Sequence, residues 1–328
     1  AARTTGSYRD VLRVSMPLVI SMTTTVVTTF TDRVFLANYS IDAIAAALPA
    51  GIIAYVLLIF FADTAGYVSV IIAQYTGAGA LDRVGGALWQ AIYFAFISWL
   101  IMVGLSFCAG PLFRLVGHSA EVQQLEVIYF RVLCRGSGTH IIGMSFSSFF
   151  TGRGVTRPVM IIYIIAMLLN VPLDYALING IWIFPELGIL GAAIATVFSW
   201  TSATLLLGLF VFTRENDSTF KTRQNHHFDA DLFRRLLRYG VPSSLQFSLD
   251  VLAFGFFVLM VGRIGKAELV VTSIAISLDS VSFRPLSGFA LGASTLVGQA
   301  LGRNRPDEAV AAARATMVIV ASYIAVFV

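Results

Sequence analysis

RDVLRVSMPL, residues 9–18, returns as RRLLRYGVPS, residues 234–243, with Arg9, Leu12, Arg13 and Pro17 matched by Arg234, Leu237, Arg238 and Pro242 at an offset of 225. The same offset carries AQYTGAGALD (Gln74, Gly77, Asp82) onto GQALGRNRPD (Gln299, Gly302, Asp307). One offset held without a gap from residue 9 to residue 82 marks an internal repeat. The first copy runs to about residue 213, and the polar stretch 214–238 (RENDSTFKTRQNHHFDADLFRRLLR) reads as the linker to the second.

Composition places both copies in a membrane. The 328 residues are 57% hydrophobic and only 12% charged, with a mean hydropathy of +0.83; soluble domains carry about twice that share of charge. A bilayer-crossing helix needs roughly 20 apolar residues. Such stretches fall near 12–37, 44–75, 84–109, 124–151, 158–180, 188–213, 239–262, 269–300 and 308–328. The fold class expected is therefore an all-α polytopic membrane protein with about nine spans, since backbone groups in lipid must pair within their own segment. Six spans per repeat is an even number, so the two lobes should be related by a pseudo-two-fold along the membrane normal, as parallel repeats of transporters are. On that arithmetic the second lobe, 239–328, holds only its first three spans. The expectation is a chain short of about three spans; an intact protein of nine spans is the rival.

Basic residues orient the chain. With a cytoplasmic N-terminus, fourteen Lys and Arg lie in inner loops and only Arg114, Arg263 and Lys266 in outer ones. The net charge of +4 then belongs to loops beside anionic lipid and to no nucleic-acid face. Cys108 and Cys134 read as small core residues. His118, His140, His226 and His227 lack zinc-ligand spacing, and the glycines at 77–79 have no nucleotide-binding context. No enzyme motif and no cofactor is expected.

Acids at membrane depth cost a few kcal/mol each and call for a partner or a purpose. Asp32 sits in a first span dense in threonine, and its neighbour Arg33 points about 100° away on a helix. In LLNVPLDY, Asn170 and Asp174 are spaced i, i+4 and share a face, while Pro172 frees the carbonyl of Leu168. Amide, carboxylate and carbonyl oxygens suit a hard cation such as Na+. Asp32 facing Asp174 would suit a proton carrier, because two acids in one low-dielectric site hold a proton readily. Asp250 is the lone acid of the seventh span. Asp63 and the pair Asp279 and Arg284 read as packing or gating residues. Glu126, Arg131 and Arg135 read as an interface-level charge cluster in which Glu126 offsets only one arginine.

These segments resemble the multidrug and toxic compound extrusion (MATE) family of secondary antiporters over the whole chain. The resemblance is carried by MPL at 16–18 with TD at 31–32, AQYTGAG at 73–79, GRGVTRP at 152–158 and LLNVPLDYALING at 168–180. PELGILGAAIAT at 185–196, YGVPSS at 239–244 and LVGQALGRNRPDEA at 296–309 add to it. It implies two six-helix lobes that alternate between inward- and outward-facing states, exchanging H+ or Na+ for amphipathic, often cationic, compounds. It further implies an amino-lobe cation site at Asp32, Asn170, Asp174 and Thr196, a bend at Pro172, and a carboxy-lobe acid at Asp250. A multi-pass protein of the inner (plasma) membrane follows, working as a monomer on a small-molecule substrate. Arg33, Asp63 and Arg284 depart from the family pattern. A lipid-linked oligosaccharide flippase of the same superfold is the alternative, favoured by a strongly basic central cavity; a scaffold without transport would not need midplane acids.

Overall fold

The computed structural model describes residues 7–264 and 266–327, without the side chains of 255, 258, 259, 262–282, 284 and 327. In chain order the helices are α1 (Tyr8–Tyr39), α2 (Ile41–Gly66), α3 (Val68–Ala78), α4 (Val84–Phe107), α5 (Ala109–Val116) and α6 (Ala120–Gly152). There follow α7 (Arg157–Asn179), α8 (Ile189–Val211), α9 (Arg214–Phe220), α10 (Ala230–Ile264), α11 (Lys266–Gly302) and α12 (Pro306–Phe327). No strand occurs among the described residues.

Local chemistry sets the boundaries. Ser7, Ser40, Ser119 and Thr213 are N-caps whose hydroxyls accept from backbone amides at the starts of α1, α2, α6 and α9. Gly180, at a φ of 66°, ends α7 in the left-handed conformation that a side chain resists. The expected spans all fall on helices, but the second is broken at Gly66–Tyr67 into α2 and α3, and two short helices, α5 and α9, were not expected. Among the described residues six helical stretches are long and apolar enough to cross a membrane: Tyr8–Tyr39, Ile41–Ala78, Leu81–Phe107, Arg157–Asn179, Ile189–Val211 and Pro306–Val326. α6 carries Glu121, Glu126, Arg131, Arg135 and His140 along its length and is not among them, and α10 and α11 run through undescribed side chains. Outward faces carry Leu205 at 64% and Leu209 at 71% exposure, a pattern suited to acyl chains and costly in water.

α6 is the axis of the first repeat. Its small residues let neighbours approach closely: a Cβ at Gly138 would lie 2.4 Å from the Trp99 ring of α4, and one at Gly136 2.3 Å from Val197 of α8. Phe113 of α5 and Phe130 of α6 meet edge to face at 5.6 Å, both buried. Cys134 is buried here, as expected. Cys108 is exposed, against expectation, because it lies at the C-cap of α4 where the chain turns into α5.

The repeats meet where their sequences match. Ala73 and Gly298, equivalent at the offset of 225, face one another, with the Cβ site of Gly298 2.9 Å from the Ala73 Cβ. A Cβ on Gly77 would fall 2.0 Å from the Gln299 carbonyl oxygen, and one on Gly302 2.2 Å from that of Gln74. Gly77 with Gln299 and Gly302 with Gln74 are the same contact exchanged between copies, the signature of a local two-fold. One turn or more away the exchange holds again: α11 meets α1 at Gly292 and Ser15, and α2 meets α10 at Tyr67 and Gly240, each residue 225 from its counterpart. Between α2 and α10 the hydroxyls of Thr64 and Ser244 bond to each other.

The stretch after α8 does not hang free. Trp89 Nε1 donates to the Thr222 carbonyl at 2.7 Å, and the Tyr93 hydroxyl donates to that of His226. Gln90, 1% exposed, donates to the His227 carbonyl at 3.0 Å and accepts from the Asp229 amide at 3.2 Å. Arg153, at the end of α6, packs over the Phe149 and Phe220 rings at 4.6 and 3.9 Å and so fixes α9. The Asp217 carboxylate accepts from the Arg223 amide at 2.8 Å, which holds its carboxyl below the ordinary carboxylate range. That tie is present at neutral pH and is lost only as pH falls through the lowered value.

Gly77→Val or Gly302→Val should each lower the Tm, by an overpacking cost of about 1–3 kcal/mol, whereas Gly104→Ala, whose Cβ meets open space, should leave it unchanged or slightly higher. Gln90→Leu removes two part-buried hydrogen bonds at a cost of about 0.5–1.5 kcal/mol each, and limited proteolysis should then cut within residues 221–229 at protease levels the parent resists.

Candidate functional site

α1 and α7 lie side by side, with the Phe35 and Tyr175 rings in contact at 5.2 Å. That pairing brings the two expected acids together. Asp174 is 1% exposed, and the Asp32 and Asp174 carboxyls lie close enough to feel each other's charge. Tyr129, reaching over from α6, completes the group beside Asp32. Both Asp174 oxygens and Asp32 Oδ1 are shut from solvent and meet no hydrogen-bond donor among the described residues.

Asn170, 3% exposed, stands one helical turn before Asp174 on the same face. Thr196 enters from α8, which is held to α7 by the Ser199 hydroxyl donating to the Ala166 carbonyl at 3.0 Å. Asp32, Asn170 and Thr196 open together onto a cavity of about 330 Å³ inside the first repeat, with Asp174 sealed behind it. Threonines 25, 28 and 29 line one wall; Tyr55, Met102 and Leu133 give apolar surface. The arrangement offers carboxylate, amide and hydroxyl oxygens from three helices to one cavity, donor types that suit a small hard cation.

Three lining residues were not singled out by sequence. His140 and Trp200 stack at 4.9 Å across the α6–α8 contact, and Tyr129 sits beside Asp32. A histidine or tyrosine inside a Gly- and Ser-rich helix gives no sign of which helix it will face. Arg33 also lines the cavity, although it forms no ion pair with Asp32 or with any other acid among the described residues.

Pro172 lies on the exposed face of α7, two residues and therefore about 200° from Asn170. The helix continues through it, and the exposed Leu168 lies on the side away from the acids. The carbonyl freed by Pro172 thus belongs to the outer side of the helix. Asp250 is exposed on α10 and stays apart from this group, though its neighbour Val251 touches the cavity. Asp63 is half-buried and does not line the cavity. The side chains of Asp279 and Arg284 lie outside the described residues.

The charge cluster of α6 resolves differently from expectation. Glu126, wholly buried, pairs with His118 Nδ1 at 2.7 Å and with neither arginine. Arg135 packs instead over the Phe107 ring at 5.7 Å. The loop before α6 folds His118 back onto the helix, a contact that spacing along α6 alone does not reveal. No group of three or more His, Cys, Asp or Glu side chains that could hold a metal ion occurs among the described residues. A larger cavity of about 620 Å³ lies between α3 and α10, lined by Tyr67, Gln74, Arg234, Arg235, Arg238 and Tyr239 among others, and holds none of the expected site residues.

Known proteins match this architecture along its length. A protein described as "Probable multidrug resistance protein NorM" from Thermotoga maritima is 28% identical over 281 residues, which are 84% of this chain and 60% of that protein. Its namesake from Bradyrhizobium diazoefficiens is 26% identical over 305 residues, 91% of this chain and 64% of that protein. The chain thus spans about six-tenths of the length of these relatives. Among solved structures, one described as a MATE crystal structure in the straight conformation superposes with a TM-score of 0.88 at 22% identity, covering 99% of this chain and 73% of that one. An outward-facing MATE transporter of the MOP superfamily gives 0.86 at 21% identity, covering 95% and 69%. These two likenesses show the fold. The family model described as MatE matches residues 17–176 and again 242–328, two stretches whose first residues, Pro17 and Pro242, are separated by the offset of the internal repeat. On that double match, laid over both copies of the repeat, the chain belongs to the MatE family.

Proposed function

We propose that this chain works in a secondary antiporter that exports amphipathic, often cationic, compounds in exchange for H+ or Na+, with Asp32, Asn170, Asp174 and Thr196 as the coupling site of the first lobe. The observation that carries the reading is Asp174, both of whose carboxyl oxygens are shut from solvent without a hydrogen-bond partner, next to an Asp32 with one oxygen in the same state. Two uncompensated carboxylates in such a place would cost several kcal/mol each. A proton or a sodium ion shared between them removes that cost, and its departure restores it.

The mechanism follows from this cost. Without its cation the site favours a state that admits water to the acids; with it, the site can close. Pro172 removes one backbone bond from α7 and is the point at which that helix bends. Substrate and ion are coupled because they stabilise different states of the same lobes. Asp250 serves the second lobe. By this reading the nine helical stretches all span an inner (plasma) membrane, the N-terminus is cytoplasmic, and residues 1–213 and 239–328 belong to two lobes joined by 214–238. The lobes work as a monomer with no cofactor. The flippase alternative would be favoured by a strongly basic central cavity; the pocket here sets one arginine, Arg33, against Asp32, with Asp174 behind it.

Reconstituted in liposomes with an imposed gradient, the protein should move a fluorescent organic cation. Asp174→Asn should slow gradient-driven flux by tenfold or more, the loss expected when an interaction of about 1.4 kcal/mol or greater is removed. Asp63→Asn should leave flux near the parent level. Repeating the measurement in sodium-free buffer at two pH values identifies the ion. Gradient-driven flux that survives Asp174→Asn unchanged would remove the site from the mechanism.

A further inference from the structure

Asp32, Phe35 and Tyr39 follow one another at i, i+3 and i+7 and so form one stripe of α1. Each meets α7 or the loop that follows it. Asp32 lies beside Asp174, the Phe35 ring against the Tyr175 ring, and the Tyr39 hydroxyl donates to Glu186 Oε1 at 2.9 Å. This last contact closes the stripe at the end of α1, about 10 Å beyond Asp32 on a rise of roughly 1.5 Å per residue.

The loop after α7 holds Glu186 in place for it. The Leu187 amide donates to the Leu177 carbonyl at 2.9 Å and the Gly188 amide to that of Ile178 at 3.2 Å, which folds the chain back over the last turn of α7. Gly188, at a φ of 53°, packs against the Tyr39 ring, where a Cβ would stand 2.7 Å from Cε1 and 3.1 Å from the hydroxyl oxygen. Tyr39 is therefore held twice, its ring on glycine backbone and its hydroxyl on a carboxylate, the stronger kind of hydrogen bond. Both clasp residues touch solvent, with Tyr39 at 38% exposure, whereas Leu36 one turn inward is wholly buried and Asp174 is at 1%. The step from water to the sealed acid falls at this clasp.

We propose that Tyr39 and Glu186 are positioning residues for the coupling site, an outer latch that keeps the end of α1 on the α7 loop and shuts water away from Asp174. The inference rests on the exporter reading for the topology, in which this end of α1 faces outside, and for Asp174 as the acid to be shut away. Latched, the stripe of α1 is closed from Asp32 to Tyr39. Released, the end of α1 parts from the loop, and the outer solution gains a path along the stripe to the acids. The latch sets how readily a cation enters or leaves from outside; the acids set where it is held.

The test is the rate at which a water-soluble carbodiimide with an added amine labels Asp174 in the whole chain at one fixed pH, read peptide by peptide by mass spectrometry. Tyr39→Phe, which keeps the ring and removes the hydroxyl, and Glu186→Ala should each label Asp174 at least roughly threefold faster than the parent, the effect of losing one hydrogen bond. Glu186→Gln keeps an acceptor for the Tyr39 hydroxyl and should stay at the parent rate. The exposed Asp42 is the standard for the reagent, and the wholly buried Glu126 of α6 is the standard for the fold; both should label alike in every variant. Asp174 labelling that stays at the parent rate in Tyr39→Phe and Glu186→Ala, that rises together with Glu126, or that is as fast in Glu186→Gln as in Glu186→Ala, overturns the proposal. The labelling needs neither gradient nor substrate, so its failure is distinct from that of the exporter reading, which flux through Asp174→Asn decides.

Discussion

Two neighbouring carboxyl groups between α1 and α7, Asp174 sealed and Asp32 at the edge of a cavity, constrain the rest of this molecule. Charges without counterparts are tolerated at membrane depth only if something compensates them at the moment of closure. The helices around Asp32 and Asp174 keep the pair together. α6 supplies Tyr129 beside Asp32, α8 is locked to α7 through Ser199 and the Ala166 carbonyl, and the glycines of α6 let α4 and α8 pack closely against it.

The same economy of small residues builds the contact between repeats. At Gly77 and Gly302 the helices approach so closely that a single methyl would strike backbone. A loop motif that looks like a weak turn signal in sequence, QxxG followed five residues on by an acid, therefore marks the local two-fold itself. That placement matters for function, because a reciprocal and tightly fitted joint can pivot as a unit while each lobe keeps its interior intact.

Much of this was legible in the residues. The offset of 225 needed only pattern matching, and it reappears in the contacts of Ala73 with Gly298 and in the two stretches the family matches. Asp174 and Asn170 announce themselves because polar residues one turn apart in an apolar helix must share a face. Asp32 stood out for a similar reason, but its meeting with Asp174 depends on how α1 lies along α7. Thr196 was legible through family resemblance alone, since a threonine in an apolar helix is unremarkable by itself. His140, Trp200 and Tyr129 were not seen, because their meeting is fixed by the register of α6 against its neighbours. α5 and α9 escaped because helices of one or two turns owe their stability to packing, as α9 owes its place to Arg153 between two phenylalanine rings. The polar stretch after α8 looked like a free linker; Trp89, Gln90 and Tyr93, three polar-tipped side chains within one turn and a half of an apolar helix, were the available sign that something would be tied there.

Infrared difference spectroscopy addresses the acids most directly. Adding sodium at fixed pH, or stepping pH in sodium-free buffer, should change the carbonyl stretch of a protonated carboxyl or the carboxylate stretch of a cation-bound one, and Asp32→Asn and Asp174→Asn should each remove that change. A difference spectrum with no carboxyl signal under either condition, or one that persists in both variants, would contradict the account of these two residues as the place where a cation is held.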